Sequence, residues 1–311
     1  MEICPLRYPL TEQSPLSSNP IVMAIGDFDG VHLGHQEVIR SAKRIADEND
    51  CMSAIMTFHP HPREVLGQKI YSRYLAPYAD KMERFAALDL DYAYTVHFDK
   101  AFARVTSEQF VEDMLMKMNI HTVVVGFDFT FGYLGAGTVD SLIKLANGRF
   151  AVEMIKPYHL NGEKVSSTVI REQLHFGFVD AAMEYLGRPY QLAGKVVHGE
   201  ARGRTIGFPT ANIEVTEPFV IPTNGVYLVK LHLDGKSYDG VMNIGVKPTF
   251  HVNASVTIEA HLFDFNQDIY DRVVQVELLS FLRPEQRFNS IDELINQIEA
   301  DVRKAKAKLA E

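Results

Sequence analysis

Two histidines three residues apart, set among glycines where a helical pattern begins, are the side chains of this sequence best placed for chemistry on phosphate. They lie in Gly26-Asp27-Phe28-Asp29-Gly30-Val31-His32-Leu33-Gly34-His35. An apolar run from Ile21 to Ile25 precedes the segment, and Val38, Ile39, Ala42, Ile45 and Ala46 follow on one helical face. A strand therefore turns into a helix here. Open α/β sheets bind nucleotides at such junctions, because helix N-terminal N–H groups and the helix dipole favour phosphate. At i and i+3 across the helix start, the rings of His32 and His35 can face one bound phosphoryl group. A histidine pair alone is commonly structural; the preceding strand and the flanking Gly30 and Gly34 favour function.

Other segments carry similar content. Phe58-His59-Pro60-His61-Pro62 ends a strand in a rigid loop able to frame a planar ligand, although a plain strand-ending turn would also look like this. Gly126-Phe127-Asp128-Phe129-Thr130-Phe131-Gly132 follows the strand Val123 to Val125 and offers three aromatics, either to a ring system or to the core. Ser166-Ser167-Thr168 with Arg171 supplies three hydroxyls and a guanidinium at a helix start, more than an N-cap needs. The stretch from Gly199 to Asn212 holds glycines that allow close backbone approach to phosphate, and Thr210 and Asn212 offer oxygens suited to Mg²⁺. Walker A is absent, so ATP chemistry must use other loops. Glu259 lies in a strand-like run, where a lone carboxylate is usually the solvent-facing residue.

These groups need elements to hold them. Strands are predicted at 21–26, 52–58, 92–97, 121–126 and 151–155, with helices near 35–49, 79–88, 107–118 and 138–147, a βαβ pattern that implies a parallel sheet. Two further helices are expected within 166–186. At Gly187 the character changes to short β-rich runs at 190–197, 225–233, 237–244, 256–264 and 272–281, suggesting a small antiparallel barrel or sandwich. An amphipathic helix at about 290–309 follows, with Ile291, Leu294, Ile295, Ile298 and Val302 on one side. An α/β domain at 1–186 and a β domain at 187–311 are expected, as the 311-residue length suggests. Composition is that of a soluble globular protein, 46% hydrophobic and 23% charged, and a net charge of −9 argues against nucleic-acid or anionic-membrane partners. Cys4 and Cys51 have no metal-ligand spacing, no run approaches a membrane span and no secretory signal is evident, so a cytoplasmic protein is expected.

Together these motifs resemble the bifunctional riboflavin kinase/FAD synthetase family of bacteria over nearly the whole chain. The resemblance implies a Rossmann-like FMN adenylyltransferase module on Gly26 to His35, Phe58 to Pro62, Gly126 to Gly132 and Ser166 to Arg171. It also implies a six-stranded Greek-key riboflavin kinase barrel on Arg202 to Asn212, Asn243-Ile244-Gly245, Pro248-Thr249-Phe250 and Glu259. By that resemblance Gly26, Phe28, Gly30, His32, His35, Ser166, Ser167, Thr168 and Arg171 bind ATP for adenylyl transfer, with both histidines on its phosphates. Pro60, His61, Pro62, Asp128 and Phe131 then hold the flavin. In the kinase, Gly203, Arg204, Gly207, Phe208, Thr210 and Asn212 bind ATP, Thr210 and Asn212 hold Mg²⁺, and Glu259 is the catalytic base. Riboflavin, FMN and ATP are the implied substrates. A single-activity enzyme, or a flavin-binding regulatory protein with the same folds, is the alternative. Asp128 stands where some members carry Asn, and Asp271 where glycine is common, which implies a differently shaped turn after Tyr270.

Overall fold

The computed structural model describes residues 1–68, 72–199, 202–247 and 255–310. Residues Met1–Ser167 form one compact unit. Its strands are β1 (Glu2–Leu6), β2 (Ile21–Ile25), β3 (Met52–His59), β4 (Tyr92–His97), β5 (Ile120–Gly126) and β6 (Ala151–Ile155), in the spatial order β1-β4-β3-β2-β5-β6. Every pairing is parallel. The helices between them are α1 (Leu33–Glu48), α2 (Pro62–Val65), α3 (Tyr78–Ala86), α4 (Ser107–Asp113) and α5 (Val139–Ala146). Ile21, Met23 and Ile25 of β2 enter one core with Phe110, Val111 and Leu142, while Val22 and Ala24 pack on the opposite face against Val38, Ile39, Met82 and Phe85. Both faces are covered, which is why the strand reads as an unbroken apolar run rather than an alternation.

The sequence reading missed β1, whose Glu-Ile-Cys-Pro-Leu has no strand signature; Pro5 is tolerated because β1 is the sheet edge. It also missed the small hairpin β7 (His159–Leu160) and β8 (Glu163–Lys164), although its Asn161-Gly162 turn, with φ of 53° and 83°, is a common hairpin signal. The predicted helix at 107–118 ends at Asp113, with a separate 3₁₀ turn at Leu115–Lys117. β2 sits where the strand order reverses, with β3 on one side and β5 on the other. Ligands of doubly wound sheets bind at the carboxyl ends of strands at such a reversal.

Residues Thr168–Glu311 form the second unit. After α6 (Ser167–Phe176) and α7 (Val179–Leu186) come β9 (Tyr190–Val197), α8 (Arg202–Thr205), β10 (Ala211–Glu214), β11 (Gly225–Leu233), β12 (Lys236–Lys247), β13 (Ser255–Leu262), β14 (Val273–Arg283) and α9 (Ile291–Leu309). The strands close into an antiparallel barrel in the order β10-β13-β12-β11-β14-β9. Buried and half-buried residues alternate along β9, as a sheet rolled around one core requires. Helix α7 packs on β9 and β14, and Ser280 Oγ lies 3.3 Å from Asp180 Oδ2. The compact units divide between Ser167 and Thr168, at the first residue of α6.

Helix α9 closes against Val226, Leu228, Val241 and Leu282 of the barrel through Ala305 and Val302. Ile291, expected on its apolar side, is exposed in the first turn. The polar anchor is Asp301, buried, whose carboxylate accepts from Arg283 Nε at 2.9 and 3.0 Å, from Arg283 Nη2 at 2.8 Å and from Gln297 Nε2 at 2.9 Å. Deleting one member of a buried pair leaves the other charge uncompensated, at a cost of about 3 kcal/mol. Asp301→Ala is expected to destabilise the barrel unit by about that amount, read from urea denaturation by far-UV circular dichroism. Glu299→Ala, in an exposed pair with Arg303, is expected to leave the transition in place.

Candidate active sites

The turn between β2 and α1 is bent by sterically disfavoured backbone. Phe28, Gly30 and Val31 have φ of 57°, 85° and 44°. For a phenylalanine and a β-branched valine this region is disfavoured, by about 1–3 kcal/mol each. A Cβ on Gly26 would lie 2.9 Å from the Phe28 ring, so only glycine lets that ring fold back beneath the strand end. Phe28 then packs edge-on against His35, with centroids 5.3 Å apart.

His32 is the N-cap of α1: its Nδ1 accepts from the His35 N–H at 3.2 Å, and the two rings stack with centroids 3.5 Å apart. The predicted pair thus shares one face. His35 Nδ1 is buried and finds no hydrogen-bond partner among the described residues. Burial, then neighbouring His32, then Lys81 hold His35 well below the ordinary histidine range.

Residues that sequence reading passed over hold this turn. Lys81 Nζ donates to the Asp27 carbonyl at 2.9 Å and to Thr57 Oγ1 at 3.1 Å, and Thr57 Oγ1 donates to the same carbonyl at 2.9 Å. Asp29 Oδ1 accepts from the N–H groups of Leu75 and Ala76 at 2.9 and 3.2 Å. Ser167 Oγ donates to the Asp29 carbonyl at 2.9 Å, which ties one predicted residue of the Ser-Ser-Thr motif to the first motif. Lys81 had a legible signal: it falls on the apolar stripe of α3, beside buried Met82 and Phe85.

The flavin residues expected from sequence divide. Pro60 and Pro62 flank His61 at the end of β3, with Pro62 opening α2. His61 Nδ1 accepts from the Arg63 N–H at 3.0 Å as the α2 N-cap, and its Nε2 is 3.1 Å from Asp27 Oδ2. That ring is buried. Phe131 is likewise buried, stacked on Phe129 at 5.6 Å and packed on Phe110; the exposed ring of this loop is Phe127. Asp128 is exposed and pairs with Lys164 at 2.9 Å, and Lys164 Nζ also sits 4.3 Å over Phe127. Thr168 and Arg171 lie in the first turns of α6.

In the barrel the register assembles the second site. Glu259 on β13 is paired with Asn212 of β10 on one side and Asn243 of β12 on the other. No strand is predicted at the Pro-Thr-Ala-Asn motif, but Ala211 and Asn212 begin β10. A cavity of about 280 Å³ is lined by Phe208, Thr210, Val241, Asn243, Glu259 and His261. A second, of about 440 Å³, is lined by Pro209, Thr210, Ala260, Leu262, Asp268 and Tyr270. Thr210 borders both.

His261, not anticipated, has its Nδ1 2.9 Å from the Pro209 carbonyl. Phe208 N–H donates to the Gly203 carbonyl at 2.8 Å, and a Cβ on Gly203 would meet the Phe208 carbonyl oxygen at 2.3 Å. Gly207 turns this loop at φ 89°. Glu200, Ala201, Pro248, Thr249 and Phe250 and the side chain of Arg204 lie outside the described residues. Asp271 has φ 62°, in the left-handed region that favours glycine, and pairs with Lys195 at 2.7 Å.

One chain thus joins a parallel sheet, with a stacked histidine pair at a strand–helix turn, to a closed antiparallel barrel with a carboxylate paired between two asparagines. Residues 14–169 match the FAD synthetase family model and residues 186–309 the riboflavin kinase model. A Bacillus subtilis protein named bifunctional riboflavin kinase/FMN adenylyltransferase is 43% identical over 287 residues, 91% of each chain. One of the same name from Listeria monocytogenes is 40% identical over 306 residues, 98% of this chain and 97% of that one. The solved structure of a Streptococcus pneumoniae protein described as a macrolide-efflux protein superposes with a TM-score of 0.90 at 31% identity, covering 97% of this chain and 99% of that one. Among the described residues no helix is long and apolar enough to cross a membrane.

The chain belongs to the bifunctional riboflavin kinase/FMN adenylyltransferase family. It phosphorylates riboflavin to FMN with ATP and adenylylates FMN to FAD with a second ATP.

The depressed His35 sets a pH dependence. The unfolded chain takes up this proton near pH 6.5, the folded protein only well below it. Acid therefore favours unfolding: the stabilisation is complete above pH 6.5 and is lost as pH falls toward the folded value. The urea midpoint of the first unit is expected to drop between pH 7 and about pH 5, and His35→Gln is expected to flatten that drop.

Proposed function

We propose that the Gly26–His35 turn, with Ser166, Ser167, Thr168 and Arg171, holds the phosphates of the ATP that adenylylates FMN. The observation that carries this reading is the stacked His32–His35 pair at the α1 N-terminus, with a buried His35 nitrogen that has no partner among the described residues. The FMN phosphate attacks the α-phosphorus of ATP and pyrophosphate leaves. Its nucleophile is already an anion, so the site needs donors for the charge gathering on the α-phosphate rather than a base. The segments Pro60–Pro62 and Phe127–Phe131 lie at the ends of β3 and β5, on either side of β2, and are proposed to hold the flavin, with Phe127 offering the exposed ring. In this reading the adenylyltransferase machinery spans 1–186 and the kinase 187–311.

In the kinase, Glu259 accepts the proton of the ribityl 5′-hydroxyl as that oxygen attacks the γ-phosphorus of ATP and ADP leaves. Its place between Asn212 and Asn243 supports this role. The larger cavity is assigned to ATP and the smaller to riboflavin, with Thr210 on the border of both. Thr210 and Asn212 would hold Mg²⁺, which neutralises charge on the ATP phosphates. The donor set fits: these are hard oxygen donors, and Mg²⁺ takes few protein ligands when phosphates and waters complete its shell. A small-molecule enzyme of the cytoplasm, with no nucleic-acid partner, is consistent with the acidic chain.

Two substitutions separate the reactions. Glu259→Gln is expected to lower FMN formation by on the order of 10²-fold or more while FAD formation from supplied FMN persists, both followed by chromatography of the flavins. His35→Ala is expected to do the reverse, accumulating FMN from riboflavin with FAD formation down by roughly 10²- to 10³-fold. Unchanged riboflavin phosphorylation in the first variant would remove Glu259 as the base. Unchanged FAD synthesis in the second would make the histidine pair structural.

A further inference from the structure

The geometry points to Lys81 as a further positioning residue for adenylyl transfer: a buried ammonium beneath the β2–α1 turn, held by the Asp27 carbonyl and Thr57, that fixes the turn and sets the charge environment of His35. The inference rests on the assignment of the histidine pair to the nucleotide phosphates. Lys81 is a buried lysine on the apolar side of α3, where an uncharged residue would pack more cheaply. Its Nζ spends two donors on Asp27 O and Thr57 Oγ1, at 2.9 and 3.1 Å, and lies 4.0 Å from Asp27 Oδ1. That carboxylate oxygen is itself buried and has no hydrogen-bond partner among the described residues; the other faces His61 Nε2 at 3.1 Å.

Here the ammonium bonds the backbone of the turn and leaves the carboxylate at longer range, so its charge is only partly offset.

The charged and titratable groups around this point come from every neighbouring segment. His35 on α1 is faced by its stacking partner His32 and by Lys81. Asp27, in the turn, is held below the usual carboxylate range: burial opposes its ionisation, and Lys81, His61 and the Asp29 backbone outweigh that opposition. His59 at the end of β3 is lowered by burial and then by Lys81, with Glu64 and Asp27 acting the other way and His97 adding slightly. Lys81 is thus the cation that His35 and His59 both sense. Burial and then His32 lower His35, Lys81 adds to them, and a neutral His35 can donate to the anionic phosphate chain of the nucleotide. Removing the charge makes His35 easier to protonate, and removing Asp27's charge does the opposite.

The test measures kcat, KM and pH profiles for FMN adenylylation in full-length Lys81→Met, Lys81→Arg and Asp27→Asn. Lys81→Met is expected to lower kcat by on the order of 10²-fold with a smaller change in KM, and to move the pH-profile limb set by His35 to higher pH. Lys81→Arg keeps the cation and should retain the wild-type limb and most of kcat. Asp27→Asn should move the limb to lower pH, and it decides the matter if Lys81→Met does not fold. Lys81→Met with wild-type kcat, or loss of activity with an unmoved limb in both Lys81→Met and Asp27→Asn, overturns the inference. His35→Ala in parallel distinguishes the two levels: if it keeps FAD synthesis, the phosphate assignment fails, whatever Lys81 does.

Discussion

The first unit depends on keeping one short turn in a backbone conformation it would not choose. Between β2 and α1 the chain passes through left-handed φ at Phe28, Gly30 and Val31. The strain is offset from several directions: Lys81 and Thr57 on the Asp27 carbonyl, Leu75 and Ala76 on the Asp29 carboxylate, and Ser167 on the Asp29 carbonyl. Only because the turn is held can His32 sit at the N-cap and stack on His35. Strain of this kind persists where the surroundings over-determine it, and such places are commonly functional. The rest of the first unit serves this arrangement. Its sheet buries both faces, and the order reversal at β2 brings the ends of β3 and β5 alongside.

The barrel reaches a comparable end by a different route. No contorted loop is needed to place Glu259, because strand pairing fixes it between Asn212 and Asn243. Side chains at directly paired positions in a sheet share a face at short range. A one-residue slip of β13 would turn Glu259 to the opposite face. Barrel closure prevents the slip, since each strand is bound on both sides. Helix α9 then packs on the barrel, anchored by Asp301 on Arg283.

What the sequence disclosed follows from these two strategies. The βαβ periodicity, the barrel runs and the histidine pair were legible, because burial period and glycine placement are local signals. β1 was not, since an edge strand with one neighbour can be short, charged and broken by Pro5. The start of β10 hid inside a motif read for its chemistry. Side-chain destinations were the least legible. Phe131 and His61 carry the right chemistry for a flavin site, yet one ring fills the core and the other caps α2 and binds Asp27. Asp29 acts through backbone groups distant in sequence, so no local pattern announces it, and Lys81 shows only as a lysine on the apolar stripe of α3. Asp271 shows the converse: a residue other than glycine takes a left-handed φ and adds an ion pair with Lys195.

The two sites carry different ionisable groups because the first reaction changes what the second requires. Riboflavin arrives with a neutral hydroxyl, which must lose a proton as it attacks phosphorus; the barrel accordingly sets a carboxylate into its cavity wall. Once that hydroxyl bears a phosphate, the nucleophile of the next step is an anion and a base has nothing to remove. The difficulty becomes bringing two anions together. A carboxylate in the open path would then repel both substrates; of the two acids in the turn, Asp27 faces His61 and Lys81, and Asp29 accepts from backbone N–H groups. Both acids are thereby engaged in holding the turn. A single site could not meet both demands, which is a physical reason for the two reactions to occupy two folds.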